Sequence, residues 1–205
     1  MTEVLAFSRV LNVMDQKGSS RLDPLSFMEM LVWFLYKLVE ASRIWQPQSF
    51  KPGRQYEEVA SLGMLAFMTT LLPEYARAPN HTSYPLLCRR LKIAIQNLHT
   101  TQTLEENRQS SLLLLWVLFI GGVTVMKGKE LLELVPLILE TSNRLQMHDW
   151  SVVQDELCRF PWIRALHDGP GLTLWECSRQ QSIRTSAATV TGRLLIAAEN
   201  PRNAL

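Results

Sequence analysis

Apolar residues recur along this chain at intervals of three and four, and alternating apolar–polar runs are scarce, a texture that predicts helices rather than strands. Asp23-Pro24 offers an N-cap followed by proline at the first helical position. From Leu25 to Trp45 (LSFMEMLVWFLYKLVEASRIW) apolar residues then occupy most of the helical circumference, with Glu29, Lys37, Glu40 and Arg43 in one narrow stripe. Such a helix is expected to be buried on most sides. Pro47, Pro52 and Gly53 mark the loop that ends it. A second helix is expected from about Gln55 to Leu72, stopped by Pro73. After the loop ARAPNHTSYP, Pro85 opens a third, in which Leu87, Leu91, Ala94, Ile95 and Leu98 line one face and Arg89, Arg90, Lys92 and Gln96 the other.

Further along, Thr103 and Glu106 have the spacing of a capping box at the head of an apolar helix, Leu112 to Met126, which Lys127-Gly128 ends. Leu131, Leu134, Val135, Ile138 and Leu145 mark another helix, kinked or restarted at Pro136. A short helix from about Ser151 to Arg159 precedes Phe160-Pro161-Trp162, a turn at HDGPG (167–171) and LTLWE (172–176). Beyond Arg179 the residues become small and polar, which suggests a weak helix or a disordered tail. The pattern predicts an all-α fold, a multi-helix orthogonal or superhelical array, with one domain over 1–180 and a tail over 181–205. No internal repeat is visible.

Composition changes this picture little. The chain has 205 residues, 47% of them hydrophobic and 20% charged, an ordinary globular balance long enough for a sizeable core. A net charge of +2 points neither to nucleic acid nor to an anionic membrane. Three widely spaced cysteines (Cys88, Cys158 and Cys177) form no CxxC pair and no disulfide framework, and read as small buried hydrophobes in a reducing compartment. Glu3 and the absence of a basic stretch before it do not fit a signal peptide, so the sequon Asn80-His81-Thr82 reads as a chance match. The block LLLLWVLFIGGVTVM (112–126) is shorter than a membrane span and reads as a buried helix, with Lys127 and Lys129 leaving a peripheral membrane contact as an alternative.

Candidate chemistry is sparse. His148-Asp149 and His167-Asp168 have the order seen in helical HD-type metal phosphohydrolases, whose imidazoles and carboxylates converge on a divalent metal. Against that reading, Asp149 suits an N-cap and Asp168 precedes Gly169-Pro170-Gly171, a turn. There is no GxSxG, P-loop or GxGxxG, and Gly121-Gly122 suggests close helix packing. Arg89-Arg90 with Lys92 reads as a solvated face, and Glu57-Glu58 and Glu105-Glu106 suit helix starts. No catalytic, cofactor-binding, metal-binding or DNA-binding residues are assigned, and the chain is not read as an enzyme. Trp150, Phe160, Trp162 and Trp175 are expected to form a structural aromatic cluster.

The segments LLLLWVLFIGG (112–122), DWSVVQDELCRFPWI (149–163) and HDGPGLTLWE (167–176) together resemble the closing portion of the fungal-specific regulatory domain of zinc-cluster transcription factors. The resemblance covers about Ser110 to Glu176. It places Trp116, Gly121-Gly122, Trp150, Phe160 with Trp162, and Leu174-Trp175-Glu176 at the family's signature positions. It implies an all-helical regulatory module in the nucleus, with the cytoplasm as the alternative. Self-association, contact with other regulatory proteins and response to a small-molecule effector are the roles it suggests. The family's zinc cluster needs six cysteines and this chain has three, so no DNA binding carries over. The chain looks like the C-terminal half of that domain, and the missing half would leave apolar surface uncovered.

Overall fold

The computed structural model describes residues 5, 6, 8, 9, 12, 23–43, 54–72, 84–102 and 107–199. Among these residues run seven α-helices and no strand, so the chain is all-α as its periodicity predicts. They are α1 (Pro24–Arg43), α2 (Arg54–Thr69), α3 (Pro85–Gln102), α4 (Arg108–Thr124), α5 (Gly128–Arg144), α6 (Trp150–Leu157) and α7 (Arg164–Glu199). The loop expected at 46–53, residues 76–83 of the loop ARAPNHTSYP with the Asn80 sequon, the Thr103–Glu106 box and the last residues from Asn200 lie outside the described residues. Asp23 caps α1 as anticipated, its carboxylate accepting the Ser26 N–H at 3.1 Å. The cap of α4 is Asn107, whose side-chain oxygen accepts the Gln109 N–H at 2.9 Å.

The axis of the fold is α4. It packs against α2, α3, α5, α6 and α7, and the seven consecutive side chains from Leu114 to Ile120 are at most 1% exposed. Two-faced helices bury one stripe; over Leu114–Ile120 this one buries its whole circumference, as the uncharged stretch predicts. Each such side chain contributes roughly 1.5–3 kcal/mol of transfer free energy. Close approach on all sides requires missing Cβ atoms at the contacts. A Cβ on Gly63 of α2 would lie 2.7 Å from the Trp116 ring, one on Gly121 2.9 Å from Leu91, and one on Gly122 2.7 Å from Leu174.

Helix α1 behaves differently from expectation. Leu31 and Phe34 are buried against the core, with Phe27 and Met30 packed beside them, but Leu25, Met28, Val32, Trp33 and Tyr36 are exposed. The expected burial on most sides is therefore replaced by burial of one face. Its main described neighbour is α2, and a single neighbouring helix can cover only one stripe.

Both internal prolines are accommodated without ending a helix. Helix α5 continues through Pro136 instead of restarting there, and α7 continues through Pro170 where a turn was expected. An internal proline costs about 3 kcal/mol or more when the carbonyl four residues back is stranded. Here those residues are Leu132 and Leu166, both exposed, so each proline sits where its helix runs along the surface. Helix α7 then runs on to Glu199 across position 180 without interruption. The cysteines are free; Cys88 and Cys158 are only half-buried and Cys177 is exposed, so none is the fully buried hydrophobe anticipated.

Candidate functional site

The residues that stand out in the second half of the sequence meet where α4, α6 and the start of α7 converge. The Trp116 indole N–H of α4 donates to the Pro161 carbonyl at 3.0 Å, and the Phe160 ring stacks on the Trp116 ring with centroids 5.4 Å apart and planes 14° apart. Trp150, at the head of α6, lies against Phe119 with centroids 5.8 Å apart. Trp162 is buried, and its indole N–H donates to Asp168 Oδ1 at 2.7 Å. Asp168 Oδ2 accepts from Gln154 Nε2 at 2.6 Å, tying α6 to α7. Gly171 completes the joint, since a Cβ there would lie 2.8 Å from Trp150 and 3.2 Å from Trp162.

This geometry explains why HDGPG is helical. Glycine at 171 is demanded by two tryptophans that pack against the helix, and Asp168 is held by side chains on both flanks rather than by a turn. The sequence cue that was available is the pair of indoles, because a buried indole N–H calls for an acceptor. Two further contributors carry no motif at all. Gln154 looks like a surface residue of α6. Asn12 acts from far upstream, donating to the Trp162 carbonyl at 2.8 Å and accepting the Arg164 N–H at 2.8 Å. Side-chain clamps of this kind, across some 150 positions of chain, leave no periodic trace.

His167 is fully buried between Trp162 and Phe67, with ring centroids 4.9 and 5.8 Å away. Its Nδ1 accepts the Ile163 N–H at 2.9 Å, which leaves the proton on Nε2, an atom without a hydrogen-bond partner. Burial pushes its pKa down from 6.5 to about 3, so the ring is neutral. His148 and Asp149 are exposed instead; Asp149 occupies the N-cap position of α6 (φ −118°) but its side chain makes no capping bond. Among the described residues no three His, Cys, Asp or Glu side chains gather as metal ligands. The two His-Asp pairs thus have unlike surroundings, one internal and engaged, the other on the surface.

Other polar groups form surface ties between helices. Lys92 of α3 pairs with Glu133 of α5, which raises the lysine pKa through that hydrogen bond and lowers that of the carboxylate. His99 Nε2 lies 3.1 Å from Glu140 Oε2, and Arg144 reaches the same carboxylate at 2.9 Å. Arg89 and Arg90 are solvent-exposed. Burial pushes the Cys88 and Cys158 thiols up, Glu130 adding to the first effect and Arg164 opposing the second, so neither is poised as a thiolate nucleophile. Trp175 is buried with the Arg179 guanidinium 5.7 Å from its ring centroid.

No family model, curated protein or solved structure matches this chain. No described helix is long and apolar enough to cross a membrane. The Leu112–Met126 block, the one sequence candidate for membrane contact, faces protein on nearly every side and has no free apolar face to offer a bilayer.

Proposed function

We propose that the chain is a helical regulatory and protein-interaction domain of the fungal transcription-regulator kind, with no DNA-binding module of its own, working in the nucleus or the cytoplasm. One observation carries the reading. The signature residues interlock as a single packing device: Trp116 holds the Pro161 carbonyl and stacks on Phe160, Gly122 receives Leu174, and Gly171 receives Trp150 and Trp162. The indole N–H groups of Trp116 and Trp162 are committed to the Pro161 carbonyl and Asp168. What such a scaffold leaves for contact is its surface, and the exposed apolar face of α1 suits protein partners.

A transplant experiment tests the proposal. The full chain is fused between an unrelated DNA-binding domain and an acidic activation segment, and reporter output is compared with the same fusion lacking the chain. The expected outcome is a clear change in output that disappears when Trp162→Ala disrupts the scaffold. Equal output with and without the chain counts against a regulatory module. The isolated chain is expected to show no sequence-specific DNA binding. A dissociation constant of about 10 nM or tighter for one duplex, with scrambled duplexes ignored, would overturn that part.

A further inference from the structure

We infer that the outer face of α1 is a self-association surface, and that its occupant is α1 of a second copy of this chain, running antiparallel. The inference deepens the protein-interaction reading above and rests on it. Leu25, Met28, Val32 and Tyr36 follow one another at helical spacing along the solvent side of α1, with Trp33 beside them, and their exposures run from 42% to 67%. Met28, Val32, Trp33 and Tyr36 line an open groove in which Glu29 is the one charged lining residue. On the opposite side, Leu31 and Phe34 anchor the helix to the core, so the outer stripe is presented on a supported element.

Area and charge select the occupant. The five side chains expose on the order of 600 Å², so two copies could bury up to about 1,200 Å², which reaches the lower edge of the range for specific stable interfaces. Charge gives the other large surfaces a cell offers no purchase: Glu29 and Glu40 balance Lys37 and Arg43 along this helix, with Asp23 at its start, so it carries no positive excess to draw anionic lipid or phosphate backbones. A straight apolar stripe on one helix is its own complement under a two-fold axis. An antiparallel axis through Val32 sets Met28 of one copy opposite Tyr36 of the other and Val32 against itself. The two Glu29 carboxylates then stand about 9 Å apart along the helix direction, at 1.5 Å rise per residue. Parallel pairing would set them side by side, so the antiparallel arrangement is the one the sequence permits at least cost.

Light scattering after size exclusion tests this with the full chain. Wild-type protein should run at about twice the 23.5 kDa chain mass, and Val32→Glu should run as a monomer with an unchanged circular dichroism spectrum. Crosslinking supplies a second readout that does not depend on that variant folding. In a Cys177→Ser background, Val32→Cys should form a chain-to-chain disulfide under mild oxidation much faster than Leu86→Cys, an exposed site on α3. A wild-type monomer at all concentrations, a dimer that survives Val32→Glu, or equal crosslinking at the two sites overturns the proposal. Capture of a different partner by α1 in place of self-pairing overturns it as well. The two readings fail separately. A reporter effect that persists in Val32→Glu, with the wild-type chain monomeric, removes this surface and keeps the regulatory module; a Val32-dependent dimer without any reporter effect does the reverse.

Discussion

Helices α1 and α4 look alike in sequence and end in opposite circumstances. Each is apolar around most of its circumference, yet α4 has five described helices around it and α1 packs chiefly on α2. From Leu114 to Ile120 nothing is exposed beyond 1%, whereas Leu25, Val32 and Tyr36 are more than half exposed. Apolar character therefore states what a helix can bury, and the supply of neighbours decides what it does bury. The device that lets neighbours crowd α4 is small: Gly63, Gly121 and Gly122 remove Cβ atoms where Trp116, Leu91 and Leu174 press in. Described α1 residues offer no comparable notch, and its outer side chains are large.

Substitutions should expose that contrast, most strongly at the α4 end. Trp162→Ala removes a ring that is 1% exposed and also strands Asp168, which loses the indole donor. A loss of about 3–5 kcal/mol in unfolding free energy is expected from denaturant titration. A loss under about 1 kcal/mol would mean the joint between α6 and α7 is not part of the cooperative core. A matched pair of aliphatic truncations comes next. Leu118→Ala in α4 is expected to cost about 2–5 kcal/mol. Val32→Ala in α1, measured at low protein concentration so that association does not contribute, should stay within about 0.5 kcal/mol. Similar losses for the two would erase the distinction between the helices.

Legibility followed the same divide. Helix α3 starts at Pro85 as expected, and α2 starts one residue before Gln55 and ends three before Leu72. The surroundings of α4 were readable because a helix without charges has no face to turn outward. Helix α1 was misread because Glu29, Lys37, Glu40 and Arg43 set an upper bound on its polar face, and burial fell short of the bound. The HDGPG segment was misread for a different reason. Glycine and proline are turn formers locally, and only contacts made by Trp150 and Trp162 show that Gly171 serves packing. Asn12 and Gln154 were invisible, since one side chain's hydrogen bonds have no periodicity to betray them.

Acidity offers a third, intermediate test, confined to the α7 end. His167 is neutral in the fold with its pKa lowered to about 3 by burial, while the unfolded chain titrates near the ordinary value of 6.5. Between those values the unfolded state binds the extra proton, so stability is fully present above about pH 6.5 and falls as pH drops toward 3. By about pH 5 the loss from this one ring is on the order of 2 kcal/mol, at 1.36 kcal/mol per unit. Comparing pH–stability curves of wild type and His167→Gln isolates it from the carboxylates and the other histidines. Glutamine can still accept the Ile163 N–H but cannot titrate, so the variant is expected to be weaker at neutral pH and flatter below it. Parallel curves would place His167 in contact with water.

The smallest effect concerns the turn that delivers α6 to the joint. Helix α5 closes with Gln146 in the left-handed region at φ 58°, its N–H donating to the Asn143 carbonyl and the Met147 N–H to the Ser142 carbonyl. That pair of bonds is the Schellman arrangement, in which the left-handed position is ordinarily glycine. Met147, 2% exposed, supplies its apolar contact, so the closure cannot shift to relieve the backbone without uncovering a core side chain. An L-residue there bears roughly 1–2 kcal/mol of steric cost that glycine avoids, partly offset by glycine's greater freedom in the unfolded chain. Gln146 is exposed, so little packing is lost with its side chain. Gln146→Gly should therefore raise stability by about 0.5–1 kcal/mol, read as a higher denaturant midpoint at unchanged slope. The corresponding change outside any left-handed position, Gln96→Gly on the exposed face of α3, should lower stability by a similar amount. If both substitutions destabilise, the tight closure of α5 is not a fixed feature, and α6 is positioned by its tryptophan contacts alone.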